Sequence, residues 1–325
     1  MKQMTPSSYP KRMKSENFGT LQLTQTWNKY GSCPDGTIPI RRKGKNNKPI
    51  PLGEHNRLKA LSYETHDTSK KDDIPENHEY ATISVDGNFL GAQAKINLWK
   101  PVTEAQEMSI SQIWVAAGDI NERNTIEAGW AVDQDTYGDD RTRFFIYWTA
   151  DGYNNTGCGN LMCEGFVQTT SDICLGGDFT DVSTLNGDQK DASFNIHKDE
   201  SNGHWWVQLQ GIPVGYYPSS LFTTLSKTAK KVIWGGEIYN GRSKGRHTST
   251  QMGSGHFPSE GELKTSSYFS WVKVVDEDNV TKDPKFFYEG ISNPNCYDLK
   301  IDNLNYHTNG FSFYYGGPGY NDKCQ

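Results

Sequence analysis

Beyond Glu79 the chain falls into alternation. Leu90, Ala92, Ala94, Ile96 and Leu98 take one side of an extended register, and Gly91, Gln93, Lys95, Asn97 and Trp99 take the other. That period of two predicts a strand with one face buried, of the antiparallel type. Further strands are predicted near 109–117, 125–132, 143–149, 163–170, 192–197, 204–210, 231–239, 247–252, 267–275, 298–302 and 311–315. Only Ser219 to Lys230 reads as helical, a short crossover. About a dozen strands separated by turns, without a βαβ rhythm, predict an all-β protein, an antiparallel sandwich or closed barrel. No fixed-period repeat suggests a propeller.

Two strands carry an unusual residue. In Thr125-Ile126-Glu127-Ala128-Gly129-Trp130-Ala131-Val132, the side chains of Ile126, Ala128, Trp130 and Val132 share one face. Glu127 stands on the other with Thr125, Gly129 and Ala131. In Val232-Ile233-Trp234-Gly235-Gly236-Glu237-Ile238, Glu237 shares its face with Ile233, Gly235 and Tyr239. Acids are depleted in strands and rarely buried alone, and small neighbours leave room for another backbone to approach. Two such acids facing one groove would make a hydrolytic site.

Ahead of this region, residues 1 to about 30 are polar, and Gly31 to Arg42 is turn-rich around a short extended piece. From Arg41 to about Asn77 the chain is hydrophilic, with one helical turn expected near Leu58, and its composition is that of a linker open to proteases. The basic run Arg41-Arg42-Lys43 with Lys45 and Lys48 reads as solvated surface. The division this implies is 1–75 as a leading segment and linker and 76–325 as the β domain.

Composition narrows the partners. A net charge of −6 gives no general attraction to nucleic acid, and no apolar run is long enough to span a membrane. Aromatics at 12% and 32 glycines suit short strands and tight turns. Six cysteines favour an oxidising compartment, hence secretion, with any signal peptide lying outside the given chain. Cys158 and Cys163 bracket a loop short enough to close a disulfide, and Cys296 and Cys324 bracket a C-terminal segment that a staple would hold. Cys33 and Cys174 have no obvious mates. Asn154 and Asn279 begin glycosylation sequons. No zinc spacing is present, so neither a metal nor another cofactor is expected.

Other chemistries find little support. Gly253-Ser254-Gly255-His256 lacks the pattern of a serine nucleophile elbow, and no HExxH occurs. Paired carboxylates remain. Two acids in one site split their titration, so one can take a proton from water while the other donates to a carbonyl oxygen or leaving group. The substrate could be a peptide or, by the same logic, a glycoside. A glycan-binding module without turnover is a third reading.

At these residues the chain resembles the neprosin family, plant secreted glutamic peptidases that cleave next to proline. The marks are Gly31-Ser32-Cys33-Pro34 with Thr37-Ile38-Pro39-Ile40-Arg41-Arg42, then Ile126-Glu127-Ala128-Gly129-Trp130, Tyr137-Gly138-Asp139 and Thr149-Ala150-Asp151-Gly152-Tyr153. Gly157-Cys158 to Cys163, Trp234-Gly235-Gly236-Glu237, the run from His247 to Pro258, Asn295-Cys296-Tyr297-Asp298 and Tyr314 to Gly319 complete them. The resemblance implies a β-sandwich of two large antiparallel sheets with Glu127 and Glu237 as catalytic acids. It implies a zymogen active at acid pH, with residues 1–75 as propeptide tail and linker and the propeptide as a partner. Substrates would be proline-containing peptides or proteins, acted on by a monomer. Trp130, Trp234 and Tyr239 are expected as walls of a proline slot and Gln251 as an oxyanion donor.

Overall fold

The computed structural model describes residues 25–42, 77–241 and 245–325. Most of the hydrophilic linker, including the expected helical turn near Leu58 and candidate processing points after Pro51 and Pro75, lies outside the described residues. The described chain forms β1 (His78–Asn97), β2 (Met108–Ala117), β3 (Asn124–Asp133), β4 (Arg143–Thr149), β5 (Cys158–Gly159), β6 (Val167–Gln168), β7 (Asp191–Lys198) and β8 (Trp205–Leu209). It continues through β9 (Ile212–Tyr217), β10 (Ala229–Tyr239), β11 (Ser267–Asp276), β12 (Thr281–Lys282), β13 (Tyr288–Ile291), β14 (Asp298–Ile301) and β15 (Phe313–Gly316). Every pairing between these strands is antiparallel.

The sandwich turns on β1, which belongs to both layers. Its first half pairs with β10 and β13, its second half with β7 and β11. Between the halves the register slips at Asp86 to Phe89. The slip changes which positions face inward. Ala81, Ile83 and Val85 enter the core before it, and Ala92, Ala94 and Ile96 after it. A strand crossing from one sheet to the other needs such a phase change to keep its apolar side toward the same core.

Between the layers lies one core. Ile126, Ala128, Trp130 and Val132 of β3 and Val232, Trp234 and Ile238 of β10 meet Phe194 and Ile196 of β7 and Trp205 and Val207 of β8. Across the interface the rings of Phe144 on β4 and Phe194 on β7 are 6.0 Å apart. The alternation expected from the sequence is therefore the one observed, with the antiparallel sandwich as its result.

Three predicted elements differ. The strand expected over 163–170 shrinks to β6, because Cys163 is tied back to Cys158 and Gly165 adopts a φ of +141°. No strand forms over 247–252; there the Thr248 and Thr250 hydroxyls donate to the buried Glu107 carboxylate, and Met252 makes only an isolated bridge to Gly317. The crossover at 219–230 is two single 3-10 turns. Asn124 Oδ1 accepts from the amides of Thr223, Thr224 and Leu225, which fixes them outside an α-helix.

Residues 25–42 pack on the domain's surface. Gln25 is buried, its amide donating to the Cys174 carbonyl at 2.9 Å while its oxygen accepts from the Cys174 amide at 2.7 Å. Ile40 bridges to Leu175, and the Arg41 guanidinium lies 5.1 Å from the Tyr137 ring centre. Cys33 and Cys174 are free thiols, and burial pushes the Cys174 thiol up to about 11. The two expected disulfides, Cys158–Cys163 and Cys296–Cys324, are present.

Loop size ranks those two bonds. Closing 28 residues constrains the unfolded chain more than closing five, by chain-entropy reasoning about 3–4 kcal/mol against about 2 kcal/mol. A Cys296→Ala/Cys324→Ala protein is expected to show the larger drop in urea midpoint, and Cys158→Ala/Cys163→Ala the smaller; equilibrium unfolding at pH 5 measures both.

Candidate active site

The outer face of β4-β3-β2-β10-β1 carries both acids. The registers arrange this face in rows. One row runs Tyr147, Glu127, Trp114, Ile233, Ser84. The next runs Phe145, Gly129, Gln112, Gly235, Thr82, and the third Arg143, Ala131, Ile110, Glu237, Tyr80. In the middle row two of the central positions lack side chains. The result is a trough across the strands, from which Gln112 alone projects between the two glycines.

Both glycines are obligatory for packing. A Cβ at Gly129 would lie 2.0 Å from the Ser111 carbonyl oxygen, and one at Gly235 would lie 2.3 Å from that of Ala81. The small neighbours noticed in the sequence do admit another backbone, and that backbone is the adjacent strand.

Each acid has its own partners. Glu237 accepts three hydrogen bonds or close polar contacts. His78 Nδ1 lies 2.7 Å from Oε1, the Tyr80 hydroxyl donates to Oε1 at 3.3 Å, and Gln112 Nε2 donates to Oε2 at 3.0 Å. Glu127 Oε1 accepts from the Tyr153 hydroxyl at 2.6 Å and from Thr125 Oγ1 at 3.0 Å, while those two hydroxyls are 2.7 Å apart. Both carboxylates are buried. They stand two strands apart and four β2 positions out of step, roughly 16 Å between Cα atoms on a flat sheet. The two acids lie on the same face of the sheet, on either side of the Gly129-Gln112-Gly235 row.

Tyr153 is held by a loop with its own logic. Asp151 accepts from the amides of Asn154, Asn155 and Thr156 and from the Thr156 hydroxyl at 2.7 Å. Burial works against the charged Asp151, but the hydrogen bonds from Thr156, Asn155 and Thr149 outweigh it and hold the carboxyl below its usual range. Burial, and then the nearby Glu127 charge, raises the Tyr153 phenol, so it stays a protonated donor. The sequon residue Asn154 sits in this loop and donates its side-chain amide to the Asp151 carbonyl at 2.6 Å. Asn279, at the other sequon, donates to Glu200 at 2.7 Å.

Not every residue singled out in the sequence reaches this face. Trp130 and Trp234 are three positions from their acids, an odd step, so they point the other way and are fully buried in the core. Trp130 Nε1 donates to the Asn97 carbonyl at 2.9 Å. Neither can wall a substrate slot. Gln251 also serves elsewhere; its side-chain oxygen accepts from the Val102 amide at 2.9 Å and joins two loops. Tyr239 does stand on the acid-bearing face, its ring 5.1 Å from that of His78. Residues the sequence reading passed over complete the site: Gln112, His78, Tyr80, Trp114, Thr125 and Tyr153. Parity was the usable signal for Thr125 alone, on the strand and face of Glu127; Trp114 and Tyr80 share a register row with an acid, Gln112 and His78 lie in other rows, and Tyr153 reaches Glu127 from a loop. Among the described residues, three buried polar atoms on this face have no hydrogen-bond partner, His78 Nε2, Gln112 Oε1 and Trp114 Nε1. Among the described residues, His247, Cys296 and Cys324 form a cluster of metal-binding type, but its two sulfurs are already joined in a disulfide.

An antiparallel sandwich with two glutamates bordering an aromatic trough defines a candidate hydrolase. The neprosin family model matches residues 105–318, and the chain belongs to that family. Among solved structures, it is similar to scytalido-glutamic peptidase with a transition state analog inhibitor, at 12% identity and a TM-score of 0.41, covering 74% of this chain and 98% of that one. It is similar also to SCP-B, a member of the eqolisin family of peptidases in complex with the tripeptide Ala-Ile-His, at 10% identity and a TM-score of 0.38, covering 74% and 98%. At that level the likeness is one of strand layout.

Two outcomes are expected from this geometry. Trp130→Ala should lower unfolding stability by about 3–5 kcal/mol while leaving cleavage-site preference unchanged, whereas Tyr239→Ala should change KM with little loss of stability; denaturant melts and peptide kinetics check both. Asp151, held below its ordinary range, stabilises the loop above its unfolded value near pH ~4, and that stabilisation is lost as pH falls through the folded value. Asp151→Asn should therefore melt earlier than wild type at pH 5, with the gap narrowing toward pH 2, as thermal unfolding across that range would read.

Proposed function

We propose that the chain is a secreted glutamic endopeptidase that cuts after proline at acidic pH. The observation that carries this reading is the pair Glu127 and Glu237 bordering one trough, in a chain of the neprosin family. A peptide laid across the Gly129-Gln112-Gly235 row would meet one acid on each side.

Differences between their partners suggest separate roles. Glu237 faces the Gln112 amide, the Tyr80 hydroxyl and the His78 ring, and we assign it the role of base. Beside Glu127 the Thr125 hydroxyl can turn to accept from that carboxyl once it is protonated, the form that can act as acid. In the reaction, Glu237 takes a proton from water as its oxygen adds to the peptide carbonyl carbon. Glu127 gives its proton to the carbonyl oxygen, leaving a neutral gem-diol. The amide nitrogen then takes the proton held on Glu237, the C–N bond breaks, and a gem-diol hydroxyl returns a proton to Glu127. Both acids end as they began, and no cofactor enters.

Selection of proline falls to side chains that face the trough. Tyr239, Phe145, Tyr147 and Trp114 surround it, and a ring with fixed φ and no N–H suits an aromatic slot without a donor. Residues 1–75 are proposed to be propeptide tail and linker, removed in maturation. The two disulfides fit secretion.

The test is digestion of a proline-containing peptide between pH 2 and 7 by acid-treated full chain, with cuts mapped by mass spectrometry. Glu127→Gln and Glu237→Gln are each expected to lower kcat/KM by at least about 100-fold. Full activity in either variant would overturn the assignment, and polysaccharide turnover that needs the same two acids would replace it with a glycosidase.

A further inference from the structure

His78 is the first residue of β1, at the end of the row that continues through Tyr239. Its Nδ1 lies 2.7 Å from Glu237 Oε1, and both side chains are almost wholly buried, at 1% and 2% exposure. The ring is fixed edge-on against Tyr239 at 5.1 Å and lies flat beside Tyr80 at 6.4 Å. Its second nitrogen, Nε2, is buried without a hydrogen-bond partner.

That combination is costly for a merely structural residue. A buried histidine kept for stability normally satisfies both nitrogens. Here one nitrogen is spent wholly on the carboxylate assigned as base and the other is left bare. Since an ionised carboxylate can only accept, the Nδ1 facing it must carry the proton. With Gln112 on Oε2 and with Tyr80 and His78 on Oε1, both oxygens of Glu237 are oriented by groups rooted in two neighbouring strands, β2 and β1. A base held in this way keeps its remaining lone pairs aimed at one place, the trough.

We propose that His78 is a positioning residue for the reaction: it holds Glu237 Oε1 so that the carboxylate meets the attacking water in one orientation. The inference rests on the reading of Glu237 as the base. The donor matters, and the imidazole is one way to supply it. A glutamine at this position can place an amide N–H near the same oxygen, while leucine fills the space with no donor.

The experiment compares wild type, His78→Gln, His78→Leu and Glu237→Gln, all as acid-treated full chain on one proline-containing peptide. His78→Leu is expected to lose about 10–100-fold in kcat, with KM within about threefold of wild type. Its thermal midpoint should be unchanged or higher, because the unsatisfied Nε2 goes with the ring. His78→Gln is expected to recover most of the lost kcat. Wild-type kcat in His78→Leu overturns the proposal. So does a loss in both variants that tracks a fall in thermal midpoint, since that pattern marks a structural role. Should His78→Leu fail to fold, His78→Gln with kcat as low as Glu237→Gln and a wild-type midpoint would equally refute a donor role. Full activity in Glu237→Gln would instead sink the assignment of the base, whatever the His78 variants do.

Discussion

The register that locks β2 between β3 and β10 is the constraint on which the site depends. Side chains of a strand change face at every residue, so a slip of one position would turn Glu127 and Glu237 into the core and push Trp130 and Trp234 out. Two features forbid the slip. Both tryptophans are completely buried in the core, and the carbonyls of Ser111 and Ala81 approach Gly129 and Gly235 too closely for any other residue there. The same glycines that fix the pairing also empty the middle of the trough. Packing and chemistry are thus settled by one set of residues, on opposite faces of the same strands.

Much of this was legible in the sequence. The alternation along β1, β3 and β10 gave both the sandwich and the face of each acid, because a period of two is a local property. Element ends were harder where side chains capture the backbone. Asn124 takes three amides of the 223–225 segment, and Glu107 takes the hydroxyls of Thr248 and Thr250, contacts between 99 and 143 residues apart along the chain. Nothing near those segments announces them.

The candidate site was half legible for a similar reason. Glu127 and Glu237 are conspicuous within their own strands. Their partners are not, since Tyr153 lies in a loop and His78 and Gln112 read as ordinary polar residues until the pairing of strands is known. Aromatic residues misled in the other direction. Trp130 and Trp234 lie next to the acids in sequence, yet parity already placed them on the buried face, and chemical suitability for a proline slot does not override it. Offset is the other quantity that sequence cannot supply. The four-position displacement along β2 sets the acids diagonally across the Gly129-Gln112-Gly235 row.

One consequence follows from β1 serving both layers. Its twenty residues bond to four different strands, two in each sheet. Neither layer can peel away without tearing the backbone ladder that anchors the other. Opening either layer at β1 therefore disturbs bonds that hold the other, which ties the stability of the two sheets together along this one strand.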